Sequence, residues 1–206
     1  VPTEPDAEQI IMCADIAGLG ASGSNIVNAV SMRPARRPAV DEQRFRDAMA
    51  ASAASVGVVA ATLGDERQGR TVTAALSLSL TPPTILVSID ARSTFADFVT
   101  ESGGFSYSVL SEDQGIIGQA FASRIDQERR FELGAWQQWP SGQQKLVDAV
   151  TALDCEVIAA IATVSHILFI GAVIGAETCG DRRPLLWHDR QYTRVGDHIG
   201  APQGAG

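Results

Sequence analysis

The sequence predicts a mainly β, α+β domain, an antiparallel barrel with peripheral helices. Three observations predict it. Short runs rich in Val, Ile, Leu and Thr recur from residue 56 onward and close on Gly, Pro or Asp turn signals. Helical spacing comes only in short pieces between those runs. The steady strand–helix alternation of a doubly wound parallel sheet is missing.

The elements follow in order. Residues 1–40 are rich in Ala, Gly, Ser and Pro and end in the basic, Pro-punctuated stretch 32–38. They read as a partly flexible N-terminal extension with at most a short helix over residues 25–32. From Asp41 the pattern is regular: Phe45, Ala48, Met49 and Ser52 recur at helical spacing. Residues 56–63 form a short apolar run ending in Gly64-Asp65-Glu66, a strand and its turn. Residues 71–80 read as one strand running into a loop that Pro82-Pro83 stops, and residues 84–90 as the next strand. Ser93 and Thr94 precede Phe95, Phe98 and Val99, an N-cap followed by i, i+3, i+4 apolar spacing, and Gly103-Gly104 ends that helix. Residues 105–110 are a strand and 112–121 a helix, while 123–142, with two Trp and one Pro, are a long excursion with some helix. Residues 151–161 alternate: Leu153, Cys155 and Val157 face one way, and Asp154 and Glu156 form a solvated face. Residues 167–176 are an apolar strand, and 184–187 with 191–195 a last hairpin. The predicted layout is an extension (1–40), one domain (41–195) and a flexible Gly-rich tail (196–206).

Bulk composition narrows the function. A chain of 206 residues, 45% hydrophobic and 19% charged, can build one sizeable core. A net charge of −8 argues against nucleic acid as partner, because phosphates need a basic stripe. No apolar run reaches the roughly 18 residues of a membrane span, and no basic residue precedes the first apolar stretch, so neither membrane nor signal peptide is expected. Cys13, Cys155 and Cys179 show neither zinc nor CxxC spacing. Reduced thiols, a cytoplasmic location and no metal site are the resulting expectations. Nothing in the chain has the residue order of a Ser-His-Asp hydrolase or a zincin.

Two segments carry motif signals. Gly18-Leu19-Gly20-Ala21-Ser22-Gly23 matches the dinucleotide turn G-x-G-x-x-G. The preceding run contains Asp15, Pro34 stops the helix that should come after the glycines, and no strand with a terminal acid comes at the right distance. A Gly/Ser linker is the preferred reading. The stronger signal is residues 69–94. It places small hydroxyl residues at a strand end, then a second strand, then a helix N-terminus with Ser93, Thr94 and Arg92. Such a terminus can hold phosphate, Arg92 can supply a forked charge, and Thr73, Ala74 and Ala75 leave room for a flat ring. On local features alone an ordinary strand–helix junction explains it as well.

This segment resembles the short-chain flavin reductases, the reductase components of two-component flavin monooxygenases. Thr71-Val72-Thr73-Ala74-Ala75-Leu76-Ser77-Leu78-Ser79-Leu80-Thr81-Pro82-Pro83 is similar to the family's T-V-(S/T)-(S/A)-x-x-S-L-S-x-x-P-P. The resemblance continues through residues 105–110, Asp113-Gln114, Phe121-Ala122, residues 153–157, Ser165-His166-Ile167-Leu168-Phe169-Ile170-Gly171 and Pro184-Leu185-Leu186-Trp187. It spans about residues 41–195 and implies an FMN-binding split β-barrel, usually a homodimer. It implies that Thr71, Val72, Thr73, Ala74, Ala75 and Ser77 line one face of the flavin, FMN or FAD. Arg92, Ser93 and Thr94 would hold its phosphate, and Asp90 and Phe121 would complete the cofactor-binding set.

His166 is the catalytic candidate. A histidine inside the apolar run 164–170 is by itself more often a packed residue, but its place in the motif turns the reading to a site beside flavin and nicotinamide. Val164-Ser165 stands where the family has Gly-Asp, Ser108 where it has Asn, and Asp189-Arg190 where a glycine is common. Trp136 and Trp139 read as loop packing, His188 and Tyr192 as strand residues near a subunit interface, and His198 as part of the tail. The function implied is hydride transfer from NADH or NADPH to flavin, with reduced flavin passing to a separate oxygenase component. The alternatives are a split barrel holding flavin as a prosthetic group, and a flavin- or haem-binding protein without turnover.

Overall fold

The computed structural model describes residues 27–29, 35–123 and 125–196. In chain order its elements are strand β1 (Val27–Ala29), helix α1 (Glu42–Ala50), strands β2 (Ala54–Ser55), β3 (Gly57–Leu63), β4 (Glu66–Val72), β5 (Ala75–Leu80) and β6 (Pro83–Asp90), and helix α2 (Thr94–Ser102). Strand β7 (Gly104–Val109), a 3-10 turn (Glu112–Gln114) and helices α3 (Gly115–Ala122) and α4 (Gln127–Phe131) come next. The chain ends in strands β8 (Trp136–Gln138), β9 (Gln144–Leu146), β10 (Thr151–Ala162), β11 (His166–Thr178), β12 (Leu185–His188) and β13 (Gln191–Arg194).

The main sheet runs β4-β3-β7-β10-β11-β6-β5, every neighbour antiparallel. Its first and last strands, β4 and β5, are separated in sequence only by Thr73 and Ala74. Three Cα–Cα steps reach about 11 Å, so the sheet must curl until its two ends meet. The split barrel is the result. Bulges between β10 and β11, at Ile174 of β11 opposite Asp154/Cys155 and at Ile158 of β10, supply bend and twist for that curl.

Two apolar cores flank the wall formed by β3. Val59 and Ala61 face the barrel interior with Val87, Phe105 and Phe169, and α2 closes that interior with Phe95, Phe98 and Val99. Val58 and Ala60 face the other way, against Leu110, Phe121, Phe131 and Leu146. A strand buried on both faces needs the continuous apolar run that β3 has. Gly171 is dictated by packing, since a Cβ there would lie 2.7 Å from Phe105 Cζ. Burial pushes the Tyr107 hydroxyl up to about 12 and the Cys155 thiol, helped by the nearby Asp154 charge, up to about 12, so both stay uncharged in the core.

The α2 boundaries agree with the sequence. Ser93 caps it by accepting from the Phe95 amide at 3.2 Å, and Gly103 ends it at φ 67°. Three expectations are corrected, and one helix forms where expected with no buried residue. Residues 71–80 are not one strand: pairing with β3 ends at Val72 and pairing with β6 begins at Ala75. The helix expected over residues 25–32 is a strand at Val27–Ala29, parallel to Ala160–Ala162 on the part of β10 that extends past its pairing with β7. Asp154 is buried, because the segment with Trp139 and Ser141 covers its face of β10, and its carboxylate accepts from Ser141 Oγ at 2.8 Å. The helix α1 forms, but it buries none of its residues, so Phe45 and Met49 stay exposed.

The excursion 123–142 is ordered by aromatic packing. Phe121 meets Phe131 edge-on at 5.0 Å, Trp136 lies 4.9 Å from Phe131, and Trp139 is buried beside Lys145 and Gly175. Phe121→Ala is expected to lower unfolding free energy by about 3–5 kcal/mol in denaturant titration; a loss below about 1 kcal/mol would show that the cluster collapses to fill the gap.

Candidate functional site

The closure of the barrel leaves a cavity of about 610 Å³, within the usual range for small-molecule sites. One wall is the end of β4 and the link: Arg70, Thr71, Val72, Thr73 and Ala74. The other is the end of β6 and the start of α2, with Ser88, Ile89, Asp90, Arg92 and Ser93, and His166 at the start of β11. The β6–β11 register sets His166 opposite Asp90, and a bond from the Ala91 amide to the Ser165 carbonyl at 3.0 Å extends that pairing.

The link is chemically open. Ala74 gives its carbonyl to the Ser88 amide at 3.0 Å. Among the described residues neither the Thr73 nor the Ala74 amide has a protein acceptor, because the β4 ladder has ended and the β5 ladder has not begun. The Thr71 hydroxyl is engaged elsewhere and donates to the Gly118 carbonyl at 2.6 Å.

The charges are arranged unevenly. Arg92 grips Asp90 through Nε to Oδ1 at 3.2 Å, Nη2 to Oδ2 at 2.9 Å and its own amide to Oδ1 at 2.9 Å. The Arg92 guanidinium, then its amide, hold the Asp90 carboxyl down to about 2. The Arg70 Nη2 points at Ser93 Oγ from 3.4 Å. His166 is exposed at the rim, and its Nδ1 shares a hydrogen bond with Ser165 Oγ at 2.9 Å. Its Nε2 has no protein partner among the described residues. Ser165, where the resemblance puts an acid, is therefore the residue that orients the ring.

The structure brings together eight residues named from the sequence: Thr71, Val72, Thr73, Ala74, Asp90, Arg92, Ser93 and His166. Ala75 and Ser77 lie on β5 outside the lining, and Thr94 is exposed on the first turn of α2. Phe121 is fully buried in the aromatic cluster behind β4, where it packs as core and lines no part of the cavity. Arg70, Ser88 and Ile89 are not legible in the sequence as site residues. Arg70 stands one residue before Thr71, on the opposite face of β4. The glycine run 18–23, Cys13 and His198 lie outside the described residues. Among the described residues no His, Cys, Asp and Glu cluster could hold a metal ion, and no helix is long and apolar enough to cross a membrane.

Comparison with known proteins agrees with this geometry. Residues 49–196 match the family described as "Flavin reductase like domain". The reductase component of an FADH(2)-dependent resorcinol hydroxylase from Rhizobium sp. is 36% identical over 152 residues, covering 73% of this chain and 85% of the relative. An FMN reductase (NADH) from Ancylobacter novellus is 31% identical over 170 residues, 82% of this chain and 92% of the relative. The structure of the styrene monooxygenase flavin reductase from Pseudomonas putida superposes with a TM-score of 0.68 at 29% identity, covering 76% of this chain and 99% of that one.

The ion pair in the cavity has a direct test. Followed by NMR, Asp90 is expected to titrate near 2 in the native chain. In Arg92→Met it should rise toward the ordinary carboxylate value of about 4. Native titration already near about 4 would dissolve the pair.

Proposed function

This chain belongs to the flavin reductase-like domain family, and from that premise we propose that it is an NAD(P)H:flavin oxidoreductase that passes reduced flavin to a separate monooxygenase component. The observation that carries the reading is the link at the barrel closure, where small residues whose two amides have no acceptor among the described residues line a cavity that also holds two guanidiniums and a histidine. Those residues fit a flavin. A flat ring can lie against Thr73 and Ala74, whose short side chains keep the backbone accessible, and free amides suit the carbonyl-rich pyrimidine edge.

When bound, flavin and reduced nicotinamide supply the redox chemistry, a two-electron transfer from the second to the first. The chain's residues bind and orient. The Thr73 and Ala74 amides would be donors to a bound flavin, and fixed donors need no reorganisation as negative charge grows on reduction. The Ser165 hydroxyl holds the His166 ring through Nδ1, which would leave Nε2 available to a bound nicotinamide. His166 acts by orientation and charge, with no proton transfer required of it. Relatives named for FMN and for FADH(2) support both flavins as substrates, and the relative named for NADH supports that donor.

The assembly proposed is a homodimer. The end strand β5 exposes Leu76, Leu78 and Leu80, and exposed apolar edge strands call for a cover. A second copy of the chain is the cover that suits. The free thiols Cys155 and Cys179 suit a reducing cytoplasm.

Purified protein is expected to oxidise NADH in the presence of FMN, FAD or riboflavin, followed at the nicotinamide absorbance band; no oxidation with any of the three would sink the reading. His166→Ala should lower kcat/KM for the nicotinamide by about ten- to a hundredfold. An unchanged value removes the histidine role alone. Light scattering should give twice the chain mass, and a monomer would reject the assembly.

A further inference from the structure

We propose that Arg70, and not Arg92, meets the phosphate of the flavin nucleotide and so sets a preference for phosphorylated flavin over riboflavin. This rests on the reading of the cavity as a flavin site.

Two guanidiniums line the cavity, and they are not equivalent. Arg92 is held along its Nε–Nη2 edge by Asp90, with the backbone turn fixed to the same carboxylate. A phosphate at Arg92 has to displace that carboxylate or sit beside it. Either route sets one anion against another, since Asp90 remains ionised at neutral pH. The guanidinium that the sequence points to is already neutralised.

Arg70 is placed differently. On β4, Gly69 and Thr71 face helix α3: a Cβ at Gly69 would lie 2.6 Å from Phe121 Cε1, and Thr71 bonds Gly118. Strand alternation sends Arg70 to the other face, where its Nη2 reaches 3.4 Å from Ser93 Oγ at the cap of α2. Among the described residues no carboxylate forms an ion pair with it. An anion held there also lies at the N-terminus of α2, where the helix dipole favours negative charge, while the Phe95 and Ala96 amides are already held by Ser93.

A second buried cation adds to this. The guanidinium of Arg130 donates to the carbonyls of Ile125, Gly69 and Ser123 at 2.9, 3.0 and 2.9 Å. None of those partners carries a charge. Burial, and after it the charge of Arg70, lower the Arg130 pKa, which places the two cations within each other's field. Positive charge from Arg70 and Arg130, offset in part by Asp126, is thus gathered behind the cavity of a chain whose net charge is −8. A phosphate on Arg70 relieves that repulsion.

The test uses the full chain, with FMN and riboflavin dissociation constants measured by flavin fluorescence for the native protein, Arg70→Met, Arg70→Lys and Arg92→Met. In Arg70→Met the FMN constant should rise about ten- to a hundredfold while that of riboflavin stays unchanged. Arg70→Lys, which keeps the charge without the fork, should recover part of the loss. Arg92→Met should weaken FMN far less than Arg70→Met does. Equal weakening of FMN and riboflavin in both Arg70 variants, or the larger FMN-selective loss in Arg92→Met, overturns the assignment and leaves the flavin reading standing. Failure of the native chain to bind either flavin overturns both.

Discussion

The two-residue link between β4 and β5 is the constraint on which the rest depends. It joins the ends of a seven-strand path, so the path has to close on itself. A fully closed barrel would pair every backbone group. Here closure is interrupted at Thr73 and Ala74, and the ladder leaves two amides without acceptors. The cavity lies at that interruption. Its walls are the strand ends that closure brings together, and α2, which fills the barrel with Phe95, Phe98 and Val99, emerges with its N-terminus beside them. Fold and site come from one geometric requirement.

The electrostatics answer a problem that closure creates. Bringing β6, β11 and α2 to one rim places Asp90 and His166 side by side with the cap of α2. An unpaired carboxylate there would oppose any anionic ligand. Arg92 removes that opposition by neutralising Asp90 within the same turn. Because both partners are well exposed, the pair adds little to stability; its effect is on the charge that the cavity presents.

Much of this is legible in the sequence, and the remainder is hidden for physical reasons. Ser93 as cap, Gly103 as stop and the apolar runs of β3, β6 and β11 are local signals, and local signals survive folding. Eight cavity residues are legible because they lie within contiguous motifs that the topology keeps together. Periodicity makes Asp154 look solvated because it cannot register the segment around Trp139 and Ser141 that folds over that face of β10. The run 71–80 looks like one strand because composition stays strand-like across a link whose partners change. Phe121 resembles a cofactor residue because its motif belongs with those of the site, while its side chain enters the opposite core. Arg70 escapes notice because no pattern within one strand says which cation will lack a carboxylate.

Phe121 and Arg70 are both explained by β4. That strand is a wall with a packed back and an open front. On the back, Gly69 admits the ring of Phe121, and Arg130 ties the Gly69 carbonyl to the chain around Ser123 and Ile125. The aromatic cluster and the buried guanidinium therefore fix the height and tilt of β4 at Gly69. Arg70 comes directly after it, on the front, and can reach Ser93 only if the strand is held at that height. A larger residue at Gly69 would have to push Phe121 away or lift the strand, and lifting it would move the Arg70 guanidinium off the cap of α2. Phe121 thus affects the cavity without touching it. Its influence passes through the packing density of a core that tolerates little displacement, and the charge in front is positioned from behind.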